Sequence, residues 1–478
     1  MKKSNLFLLS LILFLLSCNQ DQSSNKEVNI SGKIDHPSAD SVWIRFYDPL
    51  QEMTSYSAAI DSTGSFDLNF PLAEASEAQF YDGNETSVMF LEPGDELLMS
   101  LDTEAFDESI SYQGEGSCAN NYLTAYYLKF KDPEGAFNPF EKLRDTDTEA
   151  VMKYVDSLYN AQVKDYETYL QENECSDAFK NWLVNDVLFE KANYYTNHLY
   201  AKMRAVNYQL DSLEMPPDFY EEYESMIDLV DTGRPSRTMY NHLRSYFYHL
   251  TRTHADRYAE GGSKDSVNIL LIKENYPQEY GQVQMTNYFL GQFKNFKTQS
   301  YEDMQEMISD YITDAELLNT LNRKLDEINA LYNSDVPEGT MLIDLNMPEY
   351  DKTSFDELIN KYKGQVIYLD FWASWCGPCK AEMPFSHKLK EKLDTDEVAF
   401  VYLSTDKDST AWINMIKMLE MEGDQYRLSP KIRKESDAIF NVRFIPRYIV
   451  YDKDGAVVDS AASRPSDPKT YELLKSLL

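Results

Sequence analysis

The chain has 478 residues, more than a single hydrophobic core usually organises, so several domains are expected. Its formal charge of −35 repels phosphate backbones and disfavours nucleic-acid binding. From residue 340 onward there are 23 acidic and 19 basic side chains, which leaves −31 on residues 1–339.

Residues 1–18 read MKKSNLFLLSLILFLLSC. Lys2 and Lys3 open the segment, and the apolar stretch from Leu6 to Leu16 has signal-peptide length, too short for a comfortable membrane span. Its end, Leu15-Leu16-Ser17-Cys18, resembles the lipobox of bacterial lipoproteins. The resemblance implies removal of the leader, a diacylglycerol on the Cys18 thiol, and a membrane lipid as partner in the cell envelope. The other reading is a plain secretory signal, or an uncleaved anchor, with a chance cysteine. Residues 19–27 are polar, a short tether.

Residues 28–115 alternate apolar and polar side chains, as in Val42-Trp43-Ile44-Arg45-Phe46 and Phe66-Asp67-Leu68-Asn69-Phe70. With turns at Asp61-Ser62-Thr63-Gly64 and Glu92-Pro93-Gly94-Asp95, this predicts a small β-sandwich. Leu91-Glu92-Pro93-Gly94-Asp95, Gly114-Glu115-Gly116 and Asn120-Asn121-Tyr122-Leu123 resemble an uncharacterised β domain of Bacteroidetes lipoproteins.

Residues 116–335 carry helical periodicity and predict an all-α domain. A long amphipathic run follows Thr148 and another follows Ser176, while Ser300 and Thr313 read as two further N-caps. Gly233-Arg234-Pro235 punctuates the middle. His242, Tyr246 and His249 share a helical face, with His254 beyond. No acidic or cysteine ligand completes a metal set there, so packing or solvated histidines are the expectation and no metal is called for.

Five cysteines are present. With Cys18 lipidated, Cys118 and Cys175 either bridge or stay as two buried thiols. The other two form the C-x-x-C of Trp372-Ala373-Ser374-Trp375-Cys376-Gly377-Pro378-Cys379-Lys380. The buried-strand pattern Val366 to Phe371 precedes it and a Lys/Leu-rich helical run follows. A strand ending at a C-x-x-C that opens a helix suits thiol exchange. Amides at the helix start stabilise a thiolate at Cys376, and Cys379 lies one turn inside. A zinc ribbon would need a second ligand pair, and a haem site would need His where Lys380 stands.

Residues 336–478 resemble the thioredoxin superfamily, closest to its membrane-tethered TlpA/ResA-like branch. The resemblance rests on Trp375-Cys376-Gly377-Pro378-Cys379, Asp370, Pro384, Ile445-Pro446 and Asp454-Gly455. It implies a redox-active disulfide between Cys376 and Cys379, a buried proton-exchanging carboxyl at Asp370 and a cis-proline at Pro446. Trp375 and Pro446 would shape the surface where substrate docks. It also implies an extra helix and strand within Lys407 to Ser436, and no cofactor. Tyr402 falls where thioredoxins carry a lysine partner for the buried carboxylate. Arg443, Arg447, Arg464 and Lys380 either form a basic collar or are scattered charge.

The expected architecture is multidomain: leader 1–18, tether 19–27, β-sandwich 28–115, all-α domain 116–335, and an α/β thioredoxin-like domain 336–478 with a central mixed sheet. The expected function is a membrane-anchored thiol–disulfide oxidoreductase. It would reduce disulfides of exported proteins with electrons from a membrane thiol donor, the family's implication. Gly377-Pro378 is the dipeptide of reducing thioredoxins. The alternatives are a disulfide oxidase or isomerase, or a binding or envelope-assembly lipoprotein with a regulatory redox domain.

Overall fold

The structure is a computed structural model and describes residues 26–50, 52–130, 144–206, 213, 215–228, 236–254, 256–259, 263–393 and 396–478. Cys18, the leader, nearly all of the tether and the Gly233-Arg234-Pro235 punctuation lie outside them. No helix among the described residues is long and apolar enough to cross a membrane. The chain divides into two compact units after Ser263.

Among the described residues of the first unit eight strands build two four-stranded sheets. They are β1 (Lys26–Asp35), β2 (Ser41–Tyr47), β3 (Met53–Ala59), β4 (Ser65–Leu72), β5 (Ser76–Tyr81), β6 (Thr86–Leu91), β7 (Glu96–Asp102) and β8 (Ser111–Glu115). The sheet orders are β4-β1-β7-β8 and β3-β2-β5-β6. The alternation seen in the sequence sends Val28, Ile30, Val42, Ile44, Phe66, Phe80 and Met99 into one shared core. The Asp61 turn is closed by its own carboxylate, which accepts from the amides of Thr63 at 2.7 Å and Ser65 at 3.0 Å. Gly64 there has φ +83° and lies so close to the Ile34 carbonyl that a side chain would collide with it.

Helix α1 (Ser117–Phe130) covers the sandwich with two neighbouring asparagines. The Asn120 carboxamide exchanges bonds with the amide and carbonyl of Phe90 on β6, both at 3.0 Å. Asn121 does the same with Tyr112 on β8, at 2.9 and 2.8 Å. Each side chain supplies the partner that an edge strand lacks. Cys118 at the start of α1 is bridged to Cys175. Cys175 precedes Ser176, the N-cap of helix α3 (Asp177–Ala205), whose hydroxyl accepts from the Phe179 amide at 3.0 Å. Helix α2 (Thr148–Glu172) is capped by Asp147, one residue before the Thr148 of the sequence reading. Helices α4 (Pro217–Asp228) and α5 (Arg237–Thr253) complete the described helices of eight or more residues in this unit.

The second unit starts with α6 (Lys264–Asn275), α7 (Gln278–Phe293) and, after two short helices, α8 (Ala315–Asn333). Ser300 lies inside the first short helix, Gln299–Asp303, and is not a cap. Asp314, not Thr313, caps α8, accepting from the Glu316 and Leu317 amides. The Thr313 and Asp314 amides both donate to the Gln282 carboxamide oxygen at 3.0 Å.

A six-stranded sheet follows, in the order β14-β13-β10-β11-β12-β9. Its elements are β9 (Thr340–Asp344), α9 (Phe355–Asn360), β10 (Val366–Trp372), α10 (Gly377–Glu391), β11 (Val398–Ser404) and α11 (Ser409–Met418), then β12 (Gly423–Arg427), α12 (Pro430–Phe440), β13 (Arg447–Tyr451), β14 (Val457–Ala462) and α13 (Pro468–Ser476). Strands β9, β12, β11 and β10 run parallel, and β13 and β14 run antiparallel to their neighbours. The sheet is therefore mixed, as expected. The extra helix and strand of the 407–436 stretch are α11 and β12, and β12 sits between β11 and β9. One face packs Leu369, Phe371, Val401, Leu403 and Ile449 against Leu358 of α9 and Ile432 and Phe440 of α12.

The unit boundary falls inside the 116–335 stretch read as one helical domain. Helix α8 is tied to the sheet's own elements, since Lys417 on α11 donates to the carbonyls of Leu331 and Tyr332, both at 3.1 Å. A lysine there also meets the negative end of α8.

Candidate active site

All seven residues of β10 are buried, as their continuous apolar run requires of a central strand. The chain leaves β10 through a short turn and re-enters a helix at Gly377. Asp406, at the end of β11, holds that turn. Its carboxylate accepts from the Ser374 amide at 2.8 Å and the Ser374 hydroxyl at 2.7 Å, and Ser404 adds a third bond at 2.7 Å. Cys376 is the N-cap of α10, and the Cys379 amide donates to its Sγ at 3.2 Å. The two cysteines form a disulfide. Cys379 is fully buried, and Cys376 is 4% exposed. Pro378 opens the helix, where its missing N–H costs nothing, and Pro384 lies inside it, leaving the Lys380 carbonyl without an amide donor.

Two aromatic side chains stand out into solvent: Trp375, next to Cys376 in sequence and 60% exposed, and Phe444, two residues before Pro446 and 84% exposed. The register opposes Phe371 on β10 to Arg447 on β13. The loop before Arg447 and the turn after Phe371 therefore emerge at the same end of neighbouring strands. That loop holds the cis peptide Ile445-Pro446.

Asp370 is paired in register with Tyr402 on β11, as the alignment at the sequence level implied. Tyr402 does not serve as its partner. The Tyr402 hydroxyl bonds to the Ser386 hydroxyl at 2.8 Å, while Asp370 Oδ1 has no hydrogen-bond partner among the described residues. Burial pushes the Asp370 carboxyl well above the usual carboxylate range, and the negative charge of Glu382 adds to the effect.

Glu382 was not singled out in the sequence. It lies one turn beyond Cys379 on the inner face of α10, 6% exposed, at a position where helical periodicity calls for an apolar side chain. That mismatch is the signal that could have found it. Its carboxylate accepts from the amide and hydroxyl of Ser466, both at 3.0 Å, and Arg464 approaches to 3.7 Å. Arg464 is thus engaged with Glu382, and Arg443 donates to the Asn441 carboxamide at 3.0 Å. These two arginines are scattered to separate partners.

The histidines of α5 are packing residues. His242 is fully buried, neither ring nitrogen is hydrogen-bonded among the described residues, and burial pushes its pKa down to about 3. It lies between the rings of Phe189 and Tyr223. His249 is spent on Glu224 at 3.1 Å.

The Redoxin family matches residues 334–474. Thiol-disulfide oxidoreductase ResA of Bacillus thuringiensis subsp. konkukian is 27% identical over 121 residues, 25% of this chain and 67% of that protein. Thioredoxin-like protein YneN of Bacillus subtilis is 32% identical over 103 residues, 20% of this chain and 56% of that protein. The solution structure of a candidate thiol-disulfide oxidoreductase from Bacteroides vulgatus is 38% identical, with a TM-score of 0.23, and covers 25% of this chain and 77% of that one. Over residues 334–474 the chain belongs to the Redoxin family, and its C-terminal domain is a thioredoxin-like thiol–disulfide oxidoreductase.

Proposed function

We propose that this protein is a lipid-anchored reductant of disulfides in exported proteins. The observation that supports this best is the Cys376–Cys379 pair at the turn that follows a strand carrying the buried Asp370, one of whose oxygens has no hydrogen-bond partner among the described residues. In the reduced enzyme the Cys376 thiolate attacks one sulfur of a substrate disulfide. That S–S bond breaks, a mixed disulfide forms, and the displaced thiolate takes a proton from water. Cys379 then passes its proton to the Asp370 carboxylate and attacks Cys376 Sγ. The second substrate thiol leaves, and the enzyme is left oxidised by two electrons. Trp375 and Pro446 border the surface where the substrate chain lies. A membrane dithiol returns the two electrons. Cys18 carries the lipid and places the redox domain in the envelope.

Direction follows from how strongly the reduced thiolate is stabilised. Gly377-Pro378 adds no positive charge between the cysteines, and a buried carboxyl disfavours a second negative charge beside it. Equilibration with glutathione should give a potential between about −200 and −300 mV, and a Cys379→Ser variant should retain exported proteins as mixed disulfides. A potential above about −150 mV would make the protein an oxidant and overturn the reading.

A further inference from the structure

The buried face of α10 carries polar side chains over about two turns, with Met383 among them. Cys379, Glu382 and Ser386 are all buried along it. Asp370 lies beneath, among Tyr368 of its own strand, Tyr402 of β11 and Tyr448 of β13, and each of these phenols feels its charge. From α10 the ionisable neighbour is Glu382. A buried carboxylate whose charge acts on a second carboxyl has reason to turn away toward water. What opposes that is the loop after β14. Ser466 gives Glu382 two donors, and Arg464 adds a cation. The loop itself is fixed at several points. Tyr368 donates to the Ser463 carbonyl at 2.8 Å, Thr470 donates to the Arg464 carbonyl at 2.7 Å, and the Asp467 amide donates to the same carbonyl at 3.0 Å.

We propose that the loop 463–466 is a positioning element of the redox site: Ser466 and Arg464 pin the Glu382 carboxylate beside Asp370, and so set the pH at which Asp370 takes the proton of Cys379. The proposal rests on Asp370 being the proton-exchange group. Neither Arg464 nor Ser466 touches substrate in this scheme. They act through Glu382, whose charge disfavours ionisation of Asp370. The resolving attack by Cys379 requires Asp370 ionised, so its rate rises with pH. Any change that lets Glu382 swing out, or removes its charge, moves that rise to lower pH.

The test is stopped-flow reaction of the reduced full-length chain with an aryl disulfide whose released thiolate is coloured. Attack by Cys376 releases the first thiolate, and resolution by Cys379 releases the second. Glu382→Gln should speed the second phase about tenfold at the acidic foot of its pH profile and leave the alkaline plateau in place. Arg464→Gln and Ser466→Ala together should speed the same phase about threefold there, with the first phase unchanged. In the Glu382→Gln background the two loop substitutions should add nothing, since their effect runs through that carboxylate. A loop that is merely structural would lower the melting temperature and leave the profile in place, which would overturn the proposal. So would an equal effect of the loop substitutions with Gln at position 382. Asp370→Asn separates the two levels. If it abolishes the pH dependence while the loop variants leave it unmoved, the loop proposal alone fails. If Asp370→Asn keeps the wild-type profile, the Asp370 reading fails and the loop proposal with it.

Discussion

At the scale of single residues, Asp370 is the least comfortable group in the redox domain. A carboxyl that is 2% exposed, with one oxygen unpartnered, is held against its preference for water. Its proton affinity is raised in the folded chain by burial and by Glu382. A carboxyl raised in this way favours the folded state while it is protonated. That contribution is lost as pH rises from the unfolded carboxylate range through the higher folded value. Asp370→Asn should therefore leave stability nearly unchanged at pH 4 and raise it at pH 8, by about 1–3 kcal/mol for relief of an unsatisfied buried group. Thermal melts of both proteins at the two pH values would check this, and a loss of stability at pH 8 would refute it. The position of Asp370 six residues before Cys376 was legible because strand, turn and helix are continuous in the chain. Glu382 and Asp406 were not, because what defines them comes from far along it. Glu382 takes its donors from Ser466, 84 residues on, and Asp406 reaches back 32 residues to Ser374. Local periodicity carries no record of such partners.

At the scale of elements, the strands of the sandwich and the long helices could be read from period 2 and period 3.6, whereas the C-terminal α/β domain was legible from the buried run Val366 to Phe371, the C-x-x-C motif and the resemblance they carry. The helix starts were displaced by one residue where an aspartate stood beside the expected threonine, at Asp147 and Asp314. The grouping of helices was harder to read. Residues 116–335 look uniform in composition, yet α6, α7 and α8 belong to the compact unit that holds the sheet. The ties are tertiary, such as Lys417 to the last carbonyls of α8 and the Tyr332 hydroxyl to the Phe296 carbonyl at 2.6 Å. A fragment of residues 264–478 should accordingly fold and reduce insulin. A fragment of residues 336–478 keeps the redox turn and the whole sheet but strips α8 from α11, leaving the Lys417 ammonium without the two carbonyls it serves. It should remain active and melt about 5 °C or more below the longer fragment, on the order of 2 kcal/mol of lost packing and capping. Equal melting temperatures would show that α6 to α8 contribute nothing to the redox domain.

At the scale of the whole molecule, charge and cysteine usage bear on where the protein works. The Cys118–Cys175 bridge suits an oxidising compartment, and a thiol reductant there needs a steady electron source. A membrane donor supplies one only to an enzyme that stays near the surface. The net charge of −35 opposes adsorption to an anionic lipid face, and no described helix is long and apolar enough to cross a membrane. Under the proposed function retention would fall to acyl chains on Cys18, since several chains on one residue hold far more firmly than one. Cys18→Ser should abolish metabolic labelling by a clickable fatty acid. It should also either move the protein quantitatively from the membrane fraction to the soluble fraction or leave an unprocessed precursor. The redox chemistry should survive in any soluble form, since the Cys376–Cys379 turn is built wholly within the C-terminal unit. Label persisting on the Cys18→Ser protein would exclude Cys18 as the lipid site, and membrane retention of a processed, unlabelled form would mean that something other than lipid holds it.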